Sequence, residues 1–112
     1  MATQSAGLSP VFRALADPTR RAVLERLSHG PASVSVLAER FRMRLPSFVQ
    51  HLDVLEGSGL VQSEKQGRVR TYRLVPRRLR QAEDWLGRQR ALWQRRLDQL
   101  NAYVTELHQK RS

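Results

Sequence analysis

The chain reads as a mainly α-helical domain with one small β-hairpin and a long closing helix, and three observations predict this. Apolar residues recur at spacings of three and four over most of the 112 residues. The period shortens to two only across residues 60–74, on either side of a Gln66-Gly67-Arg68 turn. From Arg77 to about Lys110 the sequence is then one long helical pattern. A chain of this length has room for one small domain.

Taken in order, residues 1–8 are expected to fray, and Ser9-Pro10 to open a short first helix with Val11, Phe12 and Leu15 on one face. Asp17-Pro18 is a stronger start: Asp caps the free amides and Pro fits the first helical position. Ala22, Val23, Leu24 and Leu27 give this second helix its apolar face. His29-Gly30-Pro31 ends it, Gly30 suiting a left-handed C-terminal position and Pro31 blocking continuation. Ser33 caps a third, shorter helix whose buried stripe is Val34, Leu37, Ala38 and Phe41. Arg42 to Leu45 is a tight connection into a fourth helix starting near Pro46. There Val49, Leu52 and Leu55 lie at i, i+3 and i+6, with Phe48 one position earlier, until Gly57-Ser58-Gly59 breaks the helix.

Residues 60–65 form one strand and residues 69–74 the return. In the return strand Arg70, Tyr72 and Leu74 face one way, and Val69, Thr71 and Arg73 the other. Pro76 ends it. The final helix, about 50 Å if unbroken, repeats Leu79, Ala82, Leu86, Trp93, Leu97, Leu100, Val104 and Leu107, with Trp85, Leu92 and Tyr103 widening the stripe. That is too much apolar surface for a small domain to leave in water, and an identical helix from a second chain is the simplest cover. The expected dimer interface is Val11, Phe12, Leu79, Trp85, Leu86, Trp93, Leu97, Leu100 and Val104. Two helices joined by a tight turn and followed by a basic hairpin make a winged helix-turn-helix. The expected organisation is a single domain over residues 1–112, with helices and wing in 9–76 and a dimerisation helix in 77–110.

The formal charge is +10, from 20 basic and 10 acidic residues, with a pI near 11.6. That excess attracts a polyanion without separating DNA from RNA or anionic lipid. Eighteen of the 20 basic residues are Arg, which favours bidentate phosphate and guanine contacts. With no cysteine, disulfides, thiolate metal sites and thiol redox sensing are excluded. MATQSAGLSP lacks the pattern of a signal peptide, and no run approaches the ~18 apolar residues of a membrane span. A soluble cytoplasmic protein without membrane partners is expected. Enzyme chemistry finds no support: there is no Gly-rich phosphate loop, and His29, His51 and His108 fall on separate helices or their ends without a carboxylate set. No cofactor is expected.

Shape and charge agree on duplex DNA, whose major groove admits a helix. Beside the N-terminus of the fourth helix, Arg42 and Arg44 should lie near phosphates, where the helix dipole adds to their charge. Ser47, Phe48, Gln50 and His51 are best placed to reach base edges. Gln can pair bidentately with adenine, and an apolar ring can meet a thymine methyl. Each has a plainer reading: a solvated Gln50, a packing His51, a Ser47 that satisfies a local amide and, favoured in its case, a core Phe48. Wing residues Lys65, Arg68, Arg70 and Arg73 could simply guard an edge strand. Three arginines within six residues, with no acid among them, favour phosphate or minor-groove contact instead. Trp85 and Trp93 fit packing better than the lining of a ligand pocket.

Several strings resemble the ArsR (arsenic-repressor-like) family of bacterial transcription factors, over about Val11 to Leu107. FRALADPTRRAVLERL resembles the family's opening, HLDVLEGSGLV the junction of recognition helix and wing, and GRVRTYRL the second wing strand. The resemblance implies a homodimeric repressor that occupies a promoter and leaves when conditions change. Metal-sensing members carry a Cys-x-Cys pair on the third helix or an Asp/His/Glu set on the last. Here the third helix reads SVSVLAER, and Asp98 and His108 lack further ligands at suitable spacing, so a member without a metal site is expected. Members often place Ser at the positions of Arg44 and Val49, so a known operator does not transfer. A small organic effector is compatible with this reading, and the sequence names none. Two rivals from other classes are a nonspecific architectural nucleic-acid binder and a protein-interaction module using the last helix.

Overall fold

The structure, a computed structural model, describes residues 2–111, with side chains described from Gly7 onward. Its elements are α1 (Ala2–Leu15), α2 (Pro18–Leu27), β1 (Ala32–Ser33), α3 (Val34–Ala38), α4 (Leu45–Gly57), β2 (Val61–Gln66), β3 (Val69–Leu74) and α5 (Pro76–Arg111). They divide into two compact units, Met1–Ala82 and Glu83–Ser112.

Local chemistry sets most boundaries in the first unit. Asp17 is extended and its carboxylate accepts from the Arg20 amide at 3.0 Å, which starts α2, with Pro18 in the first turn. Ser33 is also extended, and its hydroxyl accepts from the Val36 amide, which starts α3. At the end of α4, Gly59 takes φ +82°, its amide donates to Glu56 and the Leu60 amide donates to Leu55. These two bonds form a Schellman closure, which needs a left-handed residue after the helix.

Three expectations are corrected here. The fraying expected of residues 1–8 does not hold for residues 2–8, which belong to α1, while Met1 lies outside the described residues. Leu8 is buried in step with Val11 and Ala14, so the apolar face that stabilises the helix begins before Ser9, and Pro10 sits inside it. The sheet has three strands in the order β1-β3-β2, all antiparallel, rather than two. The extended conformation that lets Ser33 cap α3 also lets it pair with Thr71, while Ala32 pairs with Tyr72. In α4 the buried stripe is Phe48, Leu52 and Leu55, at i, i+4 and i+7, and Val49 is only half-buried.

The hairpin register pairs Gln66 with Val69. Gly67 and Arg68 are therefore a two-residue loop, and φ +62° at Gly67 suits the first central position of a II′ turn. The core of this unit gathers Val11, Val23, Leu37, Phe48, Leu52, Leu55, Leu60, Val61 and Tyr72, all fully or nearly fully buried. The second unit is the distal part of α5, where no described residue is buried.

Candidate nucleic-acid interface

α4 carries two faces because it is amphipathic around Phe48. Phe48 is 1% exposed and stacks on Phe41, with ring centroids 5.2 Å apart. It is therefore removed from the expected base-reading set: its ring packs in the core, where no groove atom can reach it. Ser47, Gln50 and Val54, at i, i+3 and i+7, form the exposed stripe on the other side. Arg42 and Arg44 are exposed at the start of the helix. Arg44 stands at the N-cap without a side-chain cap bond, so no side chain there accepts from the first-turn amides.

His51 is half-buried beside that stripe, and its Nδ1 is 3.1 Å from Nη1 of Arg20. The Arg20 guanidinium also donates to the carbonyls of Ala14 and Arg13, each at 2.9 Å. The Asp17 carboxylate is 3.7 Å from the same ring nitrogen. The hydrogen bond from the Arg20 amide does most to hold the Asp17 carboxyl below the ordinary aspartate range, against burial, which pushes it up; the Arg20 charge and the Thr19 amide add smaller lowering effects.

The Glu56 carboxylate ties the wing to the end of α4. Glu56 accepts from the Ser63 amide at 3.0 Å and from its hydroxyl, and Arg70 donates to that hydroxyl at 2.8 Å. Tyr72, cross-strand from Ser63, is buried below, and burial followed by the Glu56 charge pushes its phenol above the ordinary range. Lys65 lies directly opposite Arg70, so two cations share one face near the hairpin tip. Arg73 donates to Gln62, its cross-strand neighbour on the other face, and Arg68 is in the loop. All four basic side chains are exposed. Among the described residues, none of the four forms an ion pair with a carboxylate. Arg78, at the start of α5, turns inward, donating to the Ser58 and Gly7 carbonyls and to Gln81.

Of the residues expected at a dimer interface, Val11 is fully buried in the first unit, which removes it from that set. Its place in step with Leu8 and Ala14 turns it to the core. Phe12 is half-buried and Leu79 exposed. In the second unit Leu86, Trp93, Leu97, Leu100 and Val104 are exposed, Trp93 most of all at 68%, while Trp85 is half-buried. The shallow surface formed by Trp85, Leu86, Trp93 and Leu97 lies on one helix, so no second wall encloses it within that unit. Among the described residues no three His, Asp or Glu side chains converge as a metal site would require.

Two partnerships escaped the sequence reading. Arg20 and His51 are 31 positions apart, and no periodicity links them. Glu56 and Ser63 are joined across the Gly57-Ser58-Gly59 stop, a contact that depends on how the helix end turns into the strand.

Comparison with known proteins agrees with this geometry. A helix-turn-helix domain family matches residues 15–64. The HTH-type transcriptional regulator Rv2034 of Mycobacterium tuberculosis is 46% identical over 65 residues, which are 58% of this chain and only 61% of that relative. The transcriptional repressor SdpR of Bacillus subtilis is 30% identical over 79 residues, 70% of this chain and 88% of SdpR. Among solved structures, the ArsR family transcriptional regulator RHA00566 is 51% identical with a TM-score of 0.75, over 84% of this chain and 94% of that one. The homodimeric winged helix-turn-helix DNA-binding domain of Mb0332 from Mycobacterium bovis is 25% identical with a TM-score of 0.63, over 81% and 86%. With its helix-turn-helix, its basic wing and relatives similar over most of their length, this chain belongs to the ArsR family of winged helix-turn-helix transcriptional regulators.

Proposed function

We propose that the chain works as a homodimeric, sequence-specific DNA-binding repressor in the cytoplasm, controlled neither by a metal nor by thiol chemistry. The observation that carries this reading is the pairing of an exposed Ser47–Gln50 stripe on α4 with four exposed wing cations that no described carboxylate neutralises. A stripe of that kind reads base edges in a major groove, and unpaired cations on a hairpin hold the flanking phosphates. The uncovered apolar face of the second unit supports self-association, as does the homodimeric state of Mb0332. The two recognition helices of a dimer then meet half-sites about one helical turn apart, ~34–36 Å.

The decisive experiment is binding of the purified protein to its own upstream DNA against a scrambled duplex, at two salt concentrations. Preference for the upstream DNA that persists at the higher salt is the expected result. Equal, salt-labile binding to both, repeated on sequences selected from a random pool, would replace this reading with a nonspecific architectural binder driven by the +10 charge. Arg68→Ala and Arg70→Ala should each lower the slope of log affinity against log salt by about 0.9. Gln50→Ala should instead reduce discrimination between sites.

A further inference from the structure

The guanidinium of Arg20 bonds two backbone carbonyls at the end of α1 and a ring nitrogen of α4. Arg20 belongs to α2, and among the described residues no carboxylate forms an ion pair with its guanidinium. Nε donates to the Ala14 carbonyl and Nη2 to the Arg13 carbonyl, both at 2.9 Å, which fixes the plane of the group at the end of α1. With two sides pinned, Nη1 is left aimed at Nδ1 of His51 at 3.1 Å.

A guanidinium only donates, so the nitrogen it meets must accept. Nδ1 has a second neighbour, the Asp17 carboxylate at 3.7 Å, which would ask for the opposite, a proton on Nδ1. The distances decide between them: 3.1 Å is within hydrogen-bond range and 3.7 Å is not. The nearer Asp17 oxygen is moreover already taken by the Arg20 amide at 3.0 Å. Nδ1 is therefore the acceptor, and the neutral ring carries its proton on Nε2. Among the described residues Nε2 has no hydrogen-bond partner, and the side chain is 23% exposed beside the Ser47–Gln50 stripe.

We infer that Arg20 is a positioning residue that locks His51 as an Nε2–H donor, and that this donor recognises an acceptor on DNA. The acceptor is a phosphate oxygen, or the O6 or N7 edge of a purine. This rests on the DNA-binding reading proposed for the chain and adds a residue, an atom and a proton position to it. The DPTRR run thereby acquires a second role. Asp17 starts the helix, and Arg20, three residues on, sets the chemistry of a side chain 31 positions away.

The first test needs no DNA. In the free, 15N-labelled chain, ring-nitrogen spectra at neutral pH should show His51 protonated on Nε2 with Nδ1 as acceptor, and a proton on Nδ1 would overturn the assignment. The second test uses DNA selected from a random pool by the wild-type chain. His51→Gln, whose amide nitrogen reaches the place of Nε2, should keep affinity within about threefold, whereas His51→Asn, which is too short, should lose about tenfold or more. Equal behaviour of the two variants would overturn the donor role. Arg20→Met should shift the His51 ring resonances and cost about fivefold or more in affinity when His51 is present. In the His51→Ala background it should cost nothing further, and equal losses in both backgrounds would make Arg20 merely structural. If no Arg20→Met protein folds, Arg20→Lys, which retains one donor, takes its place: it should keep the Nε2–H tautomer and bind nearly as wild type, and loss of either would count against the inference. Failure of the wild-type chain to select any sequence would instead refute the DNA-binding reading, which the spectra in the first test do not depend on.

Discussion

The first unit and the distal part of α5 have equally regular apolar repeats and opposite fates. In the first unit the repeats of α1, α2 and α4 end in a core where Val11, Val23, Leu52 and Leu55 are fully or nearly fully buried. Along α5 beyond Ala82 the repeat Leu86, Trp93, Leu97, Leu100 and Val104 is just as periodic, and every member is exposed. Periodicity therefore reports that a face needs cover, and says nothing about which chain supplies it. The first unit meets the need with its own sheet and helices. As a homodimer, the protein would meet the need of the second with another copy.

The sharpest way to break this contrast is to cut one core side chain. Leu52→Ala, at a fully buried position of α4, should destabilise the chain by about 2–5 kcal/mol, read by chemical denaturation. A loss well under 1 kcal/mol would mean that the site is less tightly packed than its burial implies.

Next in size is the distal face. Trp93→Glu combined with Leu97→Glu should weaken self-association by about a hundredfold, ~2.7 kcal/mol, in sedimentation experiments. Unchanged association would move the interface elsewhere and leave the exposed repeat without an explanation.

Gly59→Ala tests the junction between recognition helix and wing. It places a side chain at φ +82° and brings a Cβ within 2.9 Å of Cγ of Arg78. The expected cost is about 1–2 kcal/mol, since the left-handed conformation alone accounts for that much in a residue with a Cβ.

The smallest effect concerns the Asp17 cap. Asp17→Ala should cost about 1 kcal/mol, and Asp17→Asn much less, because Asn caps nearly as well. The carboxyl titrates lower in the folded chain than in the unfolded one, where its value is near 3.8. Its electrostatic contribution is therefore fully present above about pH 4 and is lost as the pH falls through the folded value. Stability of the parent relative to Asp17→Asn should accordingly drop in acid, and a difference that is flat from pH 7 to pH 2 would remove Asp17 from the network.

What the sequence made legible divides along the same physical line. Signals carried by one or two adjacent residues survived: the Asp17 and Ser33 caps, the Gly59 stop and the hairpin turn at Gly67 are where their chemistry predicts. Signals that depend on a partner distant in sequence did not. β1 is two residues long and gains its strand character only from β3, so no alternation could reveal it. In α4 both Phe48 and Val49 are apolar and either fits the helical spacing to Leu52 and Leu55; in the fold Phe48 turns inward and stacks on Phe41. The candidate interface was legible as residue types, since Arg42, Arg44, Ser47, Gln50 and the four wing cations are all exposed. Its internal wiring, through Arg20 and Glu56, was not.

The opposition of Lys65 and Arg70 has a consequence for motion. Like charges facing each other across an antiparallel pair weaken that pair, and here they do so one step from the loop, where a hairpin has the fewest bonds to lose. The last rungs of the wing should open more readily than its base, where Glu56 grips Ser63. Amide hydrogens at the tip should then exchange with solvent faster than those near Ser63 in the free protein. A phosphate seated between the two cations removes their repulsion, so exchange at the tip should slow on a duplex, and slow most at low ionic strength. The hairpin end thus becomes a local gauge of occupancy, readable without knowing the operator.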